Sequence, residues 1–190
     1  MSESSAAVPR VSAYLGLSLD GFIAEADGGL GFLAPYQEAG TDYGYAAFMS
    51  TVDAVVMGRA TFDVLRGFDV PWPFAERPVV VLTHRPLPGT PPVPSTVSTH
   101  AGSLRPLLES LATSGAAHVY VDGGQVVRQA LRDQLVDSLT LSVVPELLGQ
   151  GRPLFGAEVP RSHWRLIGSE SWPSGLVQLR YVRGDEPQAL

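Results

Sequence analysis

A buried strand that stops at a glycine and passes straight into a helix leaves a chain few folds to choose from. Residues 53–62, D-A-V-V-M-G-R-A-T-F, have this form. The run 54–57 is apolar, Gly58 ends it, and Arg59, a small residue and Thr61 stand where a helix should begin. Short continuous apolar runs are the mark of strands covered on both faces, as in parallel sheets flanked by helices. A helix start carries unpaired N–H groups and the positive end of the dipole, so it suits an anion. An arginine beside it can fork two donors onto a phosphate. The stretch predicts a phosphate-bearing ligand at the end of this strand; packing alone is the competing explanation for Gly-Arg in such a turn.

The same punctuation returns twice. V-V-V-L runs to a polar end at Leu82-Thr83-His84-Arg85, and A-H-V-Y-V runs to Asp122-Gly123-Gly124-Gln125. Carboxyl ends of parallel strands share one edge, and ligands bind in the crevice there. Glycines let a diphosphate approach the backbone and arginines neutralise it. The dinucleotide fingerprint G-x-G-x-x-G is missing, so a standard Rossmann domain is not supported.

The remaining pattern supplies the rest of an α/β domain. Residues 10–19 read as a first buried strand, Asp20-Gly21 as a turn, and 22–24 as a short strand before the acidic, glycine-rich loop E-A-D-G-G-L-G. Residues 35–40 are loop-like, with Pro35 able to open a short helical turn. Thr41 or Asp42 can cap a helix over 43–50, whose Tyr45, Phe48 and Met49 keep helical spacing. Helices are also predicted over 60–66, over 103–114 with Leu104, Leu107, Leu108 and Leu111 on one face, and over 126–131. Residues 86–94 hold five prolines and read as an extended connector. Residues 97–99 form a brief strand and 138–144 a longer one. Residues 163–171 and 176–183 make a hairpin over Trp172-Pro173-Ser174-Gly175. The expectation is one domain over residues 1–190 with residues 1–9 as a flexible tail. It is an α/β sheet with a parallel centre and an antiparallel C-terminal hairpin at its edge.

Composition narrows the chemistry. There is no cysteine, which excludes disulfides, thiolate metal sites and cysteine nucleophiles. All 13 basic residues are arginine, so a Schiff-base lysine and the P-loop lysine are absent. A net charge of −6 argues against a general nucleic-acid surface. No apolar run approaches the roughly 20 residues of a membrane helix, and the first residues lack a signal pattern, so the cytoplasm is the expected location. The histidines, His84, His100, His118 and His163, lack metal-ligand spacing, and His118 on an apolar strand reads as a satisfied core residue. No metal site is expected.

Taken in order, S-L-D-G-F-I-A (18–24), V-M-G-R-A-T-F (56–62), V-L-T-H-R (81–85), V-D-G-G-Q (121–125) and P-E-L-L-G-Q-G-R-P-L-F (145–155) resemble the dihydrofolate-reductase-like proteins. The nearer likeness is to the reductase domain of riboflavin biosynthesis and its stand-alone relatives, over residues 11–181. The resemblance implies a three-layer α/β/α fold with a mixed sheet, and NADPH as cofactor. By matching motifs, Gly58, Arg59 and Thr61 face its phosphates, with Arg59 helping to select the 2′-phosphate. Leu82, Thr83 and Arg85 line the adenosine side. Asp122, Gly123 and Gly124 lie beneath the diphosphate, and Gln125, Val126 and Val127 offer helix-start N–H groups to it. Gly16 and Ile23 match positions near the nicotinamide, although strand packing accounts for Ile23 as well.

The substrate side is less legible. Hydride transfer to a ring C=N or a sugar carbonyl needs a dry site and a proton source. Dihydrofolate reductase uses a carboxylate from its first long helix, and here only Glu38 and Asp42 lie nearby. Candidate catalytic residues are Asp42, which also fits a helix cap, Asp20, which also fits a turn, and Ser142, where the family hydrogen-bonds substrate. Asp69 and Trp72 sit in the proline- and aromatic-rich loop after the second helix. The expected activity is NADPH-dependent reduction of a pterin, pyrimidine or related ring, by a homodimer. The companion deaminase domain of the riboflavin pathway would bring Cys/His zinc motifs that this sequence lacks. The alternative is a non-catalytic NADP-binding sensor or partner protein.

Overall fold

In a computed structural model of the protein, residues 8–68, 70–74, 76–90 and 92–184 are described. Residues 1–7 of the expected 1–9 tail, and the expectation for Asp69, lie outside them. Val8 packs against the core and Pro9 is buried, so these two residues of the expected tail are packed on the domain.

Among the described residues, ten strands and four α-helices follow in chain order. The strands are β1 (Arg10–Leu17), β2 (Phe22–Ala24), β3 (Ala54–Gly58), β4 (Val79–Leu82), β5 (Val97–His100), β6 (His118–Asp122), β7 (Ser138–Val143), β8 (Arg152–Pro153), β9 (Trp164–Ser171) and β10 (Val177–Arg183). The helices are α1 (Tyr45–Met49), α2 (Arg59–Arg66), α3 (Leu104–Thr113) and α4 (Gly124–Arg132). Eight strands form one sheet in the order β5-β4-β3-β6-β1-β7-β10-β9. Pairing is parallel from β5 through β7 and antiparallel for β7–β10 and β10–β9. The short β2 and β8 pair separately.

Alternation along the strands sends residues to two cores. Val11, Ala13, Val56, Val119 and Leu139 face α3 and α4, whose Leu104, Leu108, Val127 and Ala130 are fully buried. Val55, Met57, Val79, Val81 and Tyr120 face Met49 of α1 and Phe62 of α2 on the other side. Helices therefore cover both faces of the central strands, and the three-layer expectation holds.

The register places the ligand edge. Gly58 pairs with Leu82, and Met57 pairs with Asp122, so β3, β4 and β6 end level with one another. Three boundaries differ from expectation for identifiable reasons. The first helix shrinks to five residues because Tyr43 (φ 55°) and Gly44 (φ 83°) take left-handed conformations just before it. A 3-10 turn forms over Gly31–Tyr36 with Pro35 near its end, not opening it. The glycine-punctuated loop after β7 contains a strand, β8, that ties to β2.

Candidate functional site

A cleft of about 440 Å³ opens at the carboxyl ends of β1, β3 and β6, where the strand order reverses. Gly16, Ile23, Gly58, Thr61, Asp122, Gly123, Gly124 and Gln125 line it, which brings together eight of the residues singled out from the sequence. Tyr14, Leu33, Val64, Leu65, Phe68, Arg128 and Arg152 also line it and were not among them. A second cavity of about 580 Å³ is lined by Arg59, Ala60, Asp63, Arg85, Pro86 and Gln125. Ala60 and Gln125 border both, so the two cavities adjoin along the sheet edge.

The glycines at the cleft floor leave room that neighbouring side chains occupy. Gly123 has φ 82°, and a Cβ there would collide with Thr61 Oγ1. A Cβ on Gly124 would collide with Ile23 Cδ1, and one on Gly16 would meet Leu33 Cδ1 at 2.9 Å. The backbone at these strand ends is thus bare of side chains, and neighbouring residues lean over it.

Both helices start here. Gly58 precedes α2, and Gly123 precedes α4. The Val127 N–H donates to the Gly123 carbonyl at 3.0 Å, so it begins the helical ladder. This corrects the expectation for Val127: the N–H groups left over by helix geometry belong to Gly124, Gln125 and Val126. The side chains of Val126 and Val127 are buried in the core.

Arg59 stands at the start of α2, its Nε donating to both carboxylate oxygens of Asp63 at 2.9 and 2.8 Å and its Nη1 to the Pro86 carbonyl at 3.0 Å. These bonds fix the guanidinium in the wall of the second cavity opposite Arg85. Leu82 and Thr83 line neither cavity. Leu82 packs against the core, and Thr83 Oγ1 accepts the Arg85 N–H at 3.0 Å, shaping the turn that presents Arg85.

The three candidate catalytic residues lie outside the cleft lining. The Asp20 carboxylate accepts from Ser18 Oγ at 2.6 Å and from the N–H groups of Leu148 and Gly149 at 3.1 and 2.7 Å. The Ser18 hydroxyl, followed by these backbone donors, holds its pKa below the ordinary carboxylate value. Asp20 thus fastens the turn after β1 to the loop after β7. The Asp42 carboxylate accepts the N–H groups of Gly44 and Ala46, both at 2.9 Å. Those bonds lower its pKa and match the capping alternative. Glu38 accepts the Ser174 N–H at 3.2 Å. Ser142 is buried, its Oγ 3.2 Å from Gln178 Nε2. Trp72 packs edge-on between Phe62 and Phe74.

Asp122 is the one carboxylate among the described residues that lines the cleft. Its Oδ1 accepts the Gly123 N–H at 2.7 Å. Burial raises its pKa above the ordinary value, outweighing the Gly123 N–H and the Tyr120 hydroxyl, which pull it down. A carboxyl whose pKa is raised, standing at a strand end and facing a ligand-sized cleft, is placed to exchange a proton with a ligand there. The sequence signal for it was its place just before the glycine pair.

Elsewhere, His118 is satisfied: its Nε2 and Ser12 Oγ are 2.7 Å apart, and its Nδ1 lies 2.9 Å from the Thr51 carbonyl. Burial lowers its pKa. Among the described residues no group of acids and histidines is placed to hold a metal. No helix there is long and apolar enough to cross a membrane.

The residues present fit a nucleotide diphosphate: bare glycines at the floor, free N–H groups at two helix starts, and paired arginines along the sheet edge. Residues 9–178 match the family model of the RibD C-terminal domain. The chain belongs to that family. It is 29% identical over 171 residues to the uncharacterized protein YwjB of Bacillus subtilis, covering 90% of this chain and 95% of that one. A crystal structure of a putative riboflavin biosynthesis protein from Shewanella sp. PV-4 shares 32% identity and a TM-score of 0.85, over 93% of this chain and 99% of that one. A Thermotoga maritima diaminohydroxyphosphoribosylaminopyrimidine deaminase/5-amino-6-(5-phosphoribosylamino)uracil reductase superposes with a TM-score of 0.67 at 16% identity, over 93% of this chain and 57% of that one. The fold is that of the dihydrofolate-reductase-like riboflavin reductases, as the motifs implied.

Proposed function

We propose that this RibD C-terminal domain protein is an NADPH-dependent reductase of a pterin, pyrimidine or related ring. The observation that carries the reading is the pair of adjoining cavities, one lined by Arg59 and Arg85 and the other by Gly123 and Asp122, with Ala60 and Gln125 bordering both. A cavity of this size suits a nicotinamide and a flat ring side by side. When bound, NADPH supplies the hydride.

The chain's own residues do the rest. Gly124, Gln125 and Val126 offer N–H groups to the diphosphate, and Arg59 with Arg85 offers cations to the 2′-phosphate. Gly16 leaves the floor open, and Ile23 and Leu33 exclude water beside it. Val64, Leu65 and Phe68 present an apolar wall for a ring. Asp122 holds a proton at its carboxyl group for the reduced substrate. Asp20, Asp42 and Ser142 act on structure, through the bonds described above.

Stopped-flow measurement of NADPH oxidation with folates, pterins and ribosylaminopyrimidines tests the proposal. Turnover with one ring class is the expected result, and tight NADPH binding without any turnover favours the sensor alternative. The observation on the sensor's side is that Glu38 and Asp42, the carboxylates nearest the first helix, are both occupied by backbone N–H groups. A homodimer is part of the proposal: β9 is the outer strand of the sheet and exposes Leu166 and Ile167. Light scattering at the monomer mass would refute it.

A further inference from the structure

Two cations in the cleft have no part in the cradle described above. Arg128 sits one helical turn beyond Gly124 on α4. Its carboxylate neighbour, Glu158 Oε1, is 3.9 Å from Nη1, at the outer limit of an ion pair. Arg152 opens β8 and is held in register with Ala24 of β2. Its Nη2 donates weakly, at 3.5 Å, to the Asp27 carbonyl, and no carboxylate among the described residues pairs with it.

The Arg152 guanidinium lies against Gly28, so closely that a Cβ there would stand 2.9 Å from Nη2. Gly28 belongs to the loop of residues 25–33, which ends on Leu33 above Gly16. This loop holds its shape through its own polar groups: Glu25 Oε1 accepts the Phe32 N–H at 3.1 Å, and Asp27 Oδ1 accepts the Gly29 N–H at 2.7 Å. Its acids are therefore turned inward to its own backbone and do not neutralise Arg152. Two loosely paired guanidiniums, 24 residues apart in sequence and on different elements, line the same cleft and make it favourable for an anion.

We propose that Arg128 and Arg152 clamp the diphosphate of the bound cofactor between them, and that Arg152 thereby latches the 25–33 loop over the cleft. The inference rests on the NADPH reading and extends it. A phosphate carried by the substrate has the same chemistry, and the test separates the two sources.

NADPH and adenosine 2′-monophosphate, which lacks the diphosphate, are titrated into the wild-type protein and into Arg128→Ala, Arg152→Ala and Arg152→Lys. Hydrogen exchange of residues 25–33 is followed with and without NADPH. Each alanine variant is expected to weaken NADPH by about tenfold while leaving adenosine 2′-monophosphate within about twofold. Arg152→Lys keeps the charge and loses the fork, and should fall between. NADPH should slow exchange in the loop of the wild-type protein and not in Arg152→Ala. NADPH affinity unchanged in both alanine variants overturns the clamp and assigns the arginines away from the cofactor. Wild-type protein that binds no NADPH overturns the cofactor reading and the latch together. Unchanged loop exchange in the wild type on NADPH binding overturns the latch alone.

Discussion

The Ile23 side chain rests on Gly124, filling the place a Cβ would take at the first residue of α4. A residue of the β2 strand and a helix start a hundred residues away thereby define the cleft floor together. The contact gives a glycine an advantage there, because any side chain would have to displace Ile23, even though Gly124 has ordinary helical backbone and needs no positive φ.

Gly124→Ala should therefore destabilise the protein by overpacking, by about 1–3 kcal/mol, and weaken NADPH. Trimming the other partner, in the double variant Ile23→Ala with Gly124→Ala, should restore most of the stability because the clash is removed. Gly123→Ala should be worse than either, since it adds a left-handed backbone to the collision with Thr61. Urea denaturation with and without NADPH checks all three.

Arg59→Ala should weaken NADPH more than NADH, because only NADPH carries the 2′-phosphate that this guanidinium would meet. Losing one charge-assisted contact corresponds to about 1.5–3 kcal/mol, or roughly ten- to a hundredfold in Kd. Asp63→Asn should have a milder effect of the same kind, since Asp63 fixes the Nε side of the fork. Equal losses for the two nicotinamide cofactors would remove the 2′-phosphate role from Arg59.

Asp122→Asn should lower kcat by about 10²- to 10⁴-fold, the range of a lost general acid, with NADPH affinity little changed. The pH dependence follows from the sign of the shift. Its folded pKa is raised above the ordinary value of 3.8. The stability associated with the neutral carboxyl is thus fully present below the unfolded value and lost as pH rises through the folded one. Asp122→Asn should accordingly be more stable than wild type at neutral pH and lose that advantage in acid. Turnover of the wild-type protein should fall through the same window on the alkaline side, which a pH–rate profile reads directly.

Much of this edge was legible in the sequence because its signals are local. Apolar runs ending at Gly58, Leu82 and Asp122 announced three strands, and the shared register of a parallel sheet did the rest. What was not legible depends on partners far apart in the chain. Asp20 looked like a candidate acid until its carboxylate met the backbone of Leu148 and Gly149. Arg152 enters the cleft through β8, a two-residue strand that exists because β2 is there to pair with it. Asp122 was visible, but its role was not, because burial decides whether a carboxyl is an acid or an anion. The first helix was overextended because its periodicity continues through Tyr43, whose backbone conformation is held from outside.

That outside hold gives the last prediction. The Tyr43 carbonyl accepts from the Tyr14 hydroxyl at 2.5 Å and from Gln178 Nε2 at 3.0 Å. Gln178 is fully buried and also donates to Tyr14 Oη at 2.7 Å, so the three groups form one closed network between β1, β10 and the approach to α1. Tyr14→Phe removes one donor to the carbonyl and leaves Gln178 to satisfy it. Gln178→Leu removes the other and leaves the tyrosine. Each single change should cost about 1–3 kcal/mol, and the Tyr43 carbonyl keeps a partner in both. The double variant strips that carbonyl of both donors, so its loss should exceed the sum of the single losses. Urea denaturation of the four proteins completes the cycle, and simple additivity would mean that the network does not act as a unit.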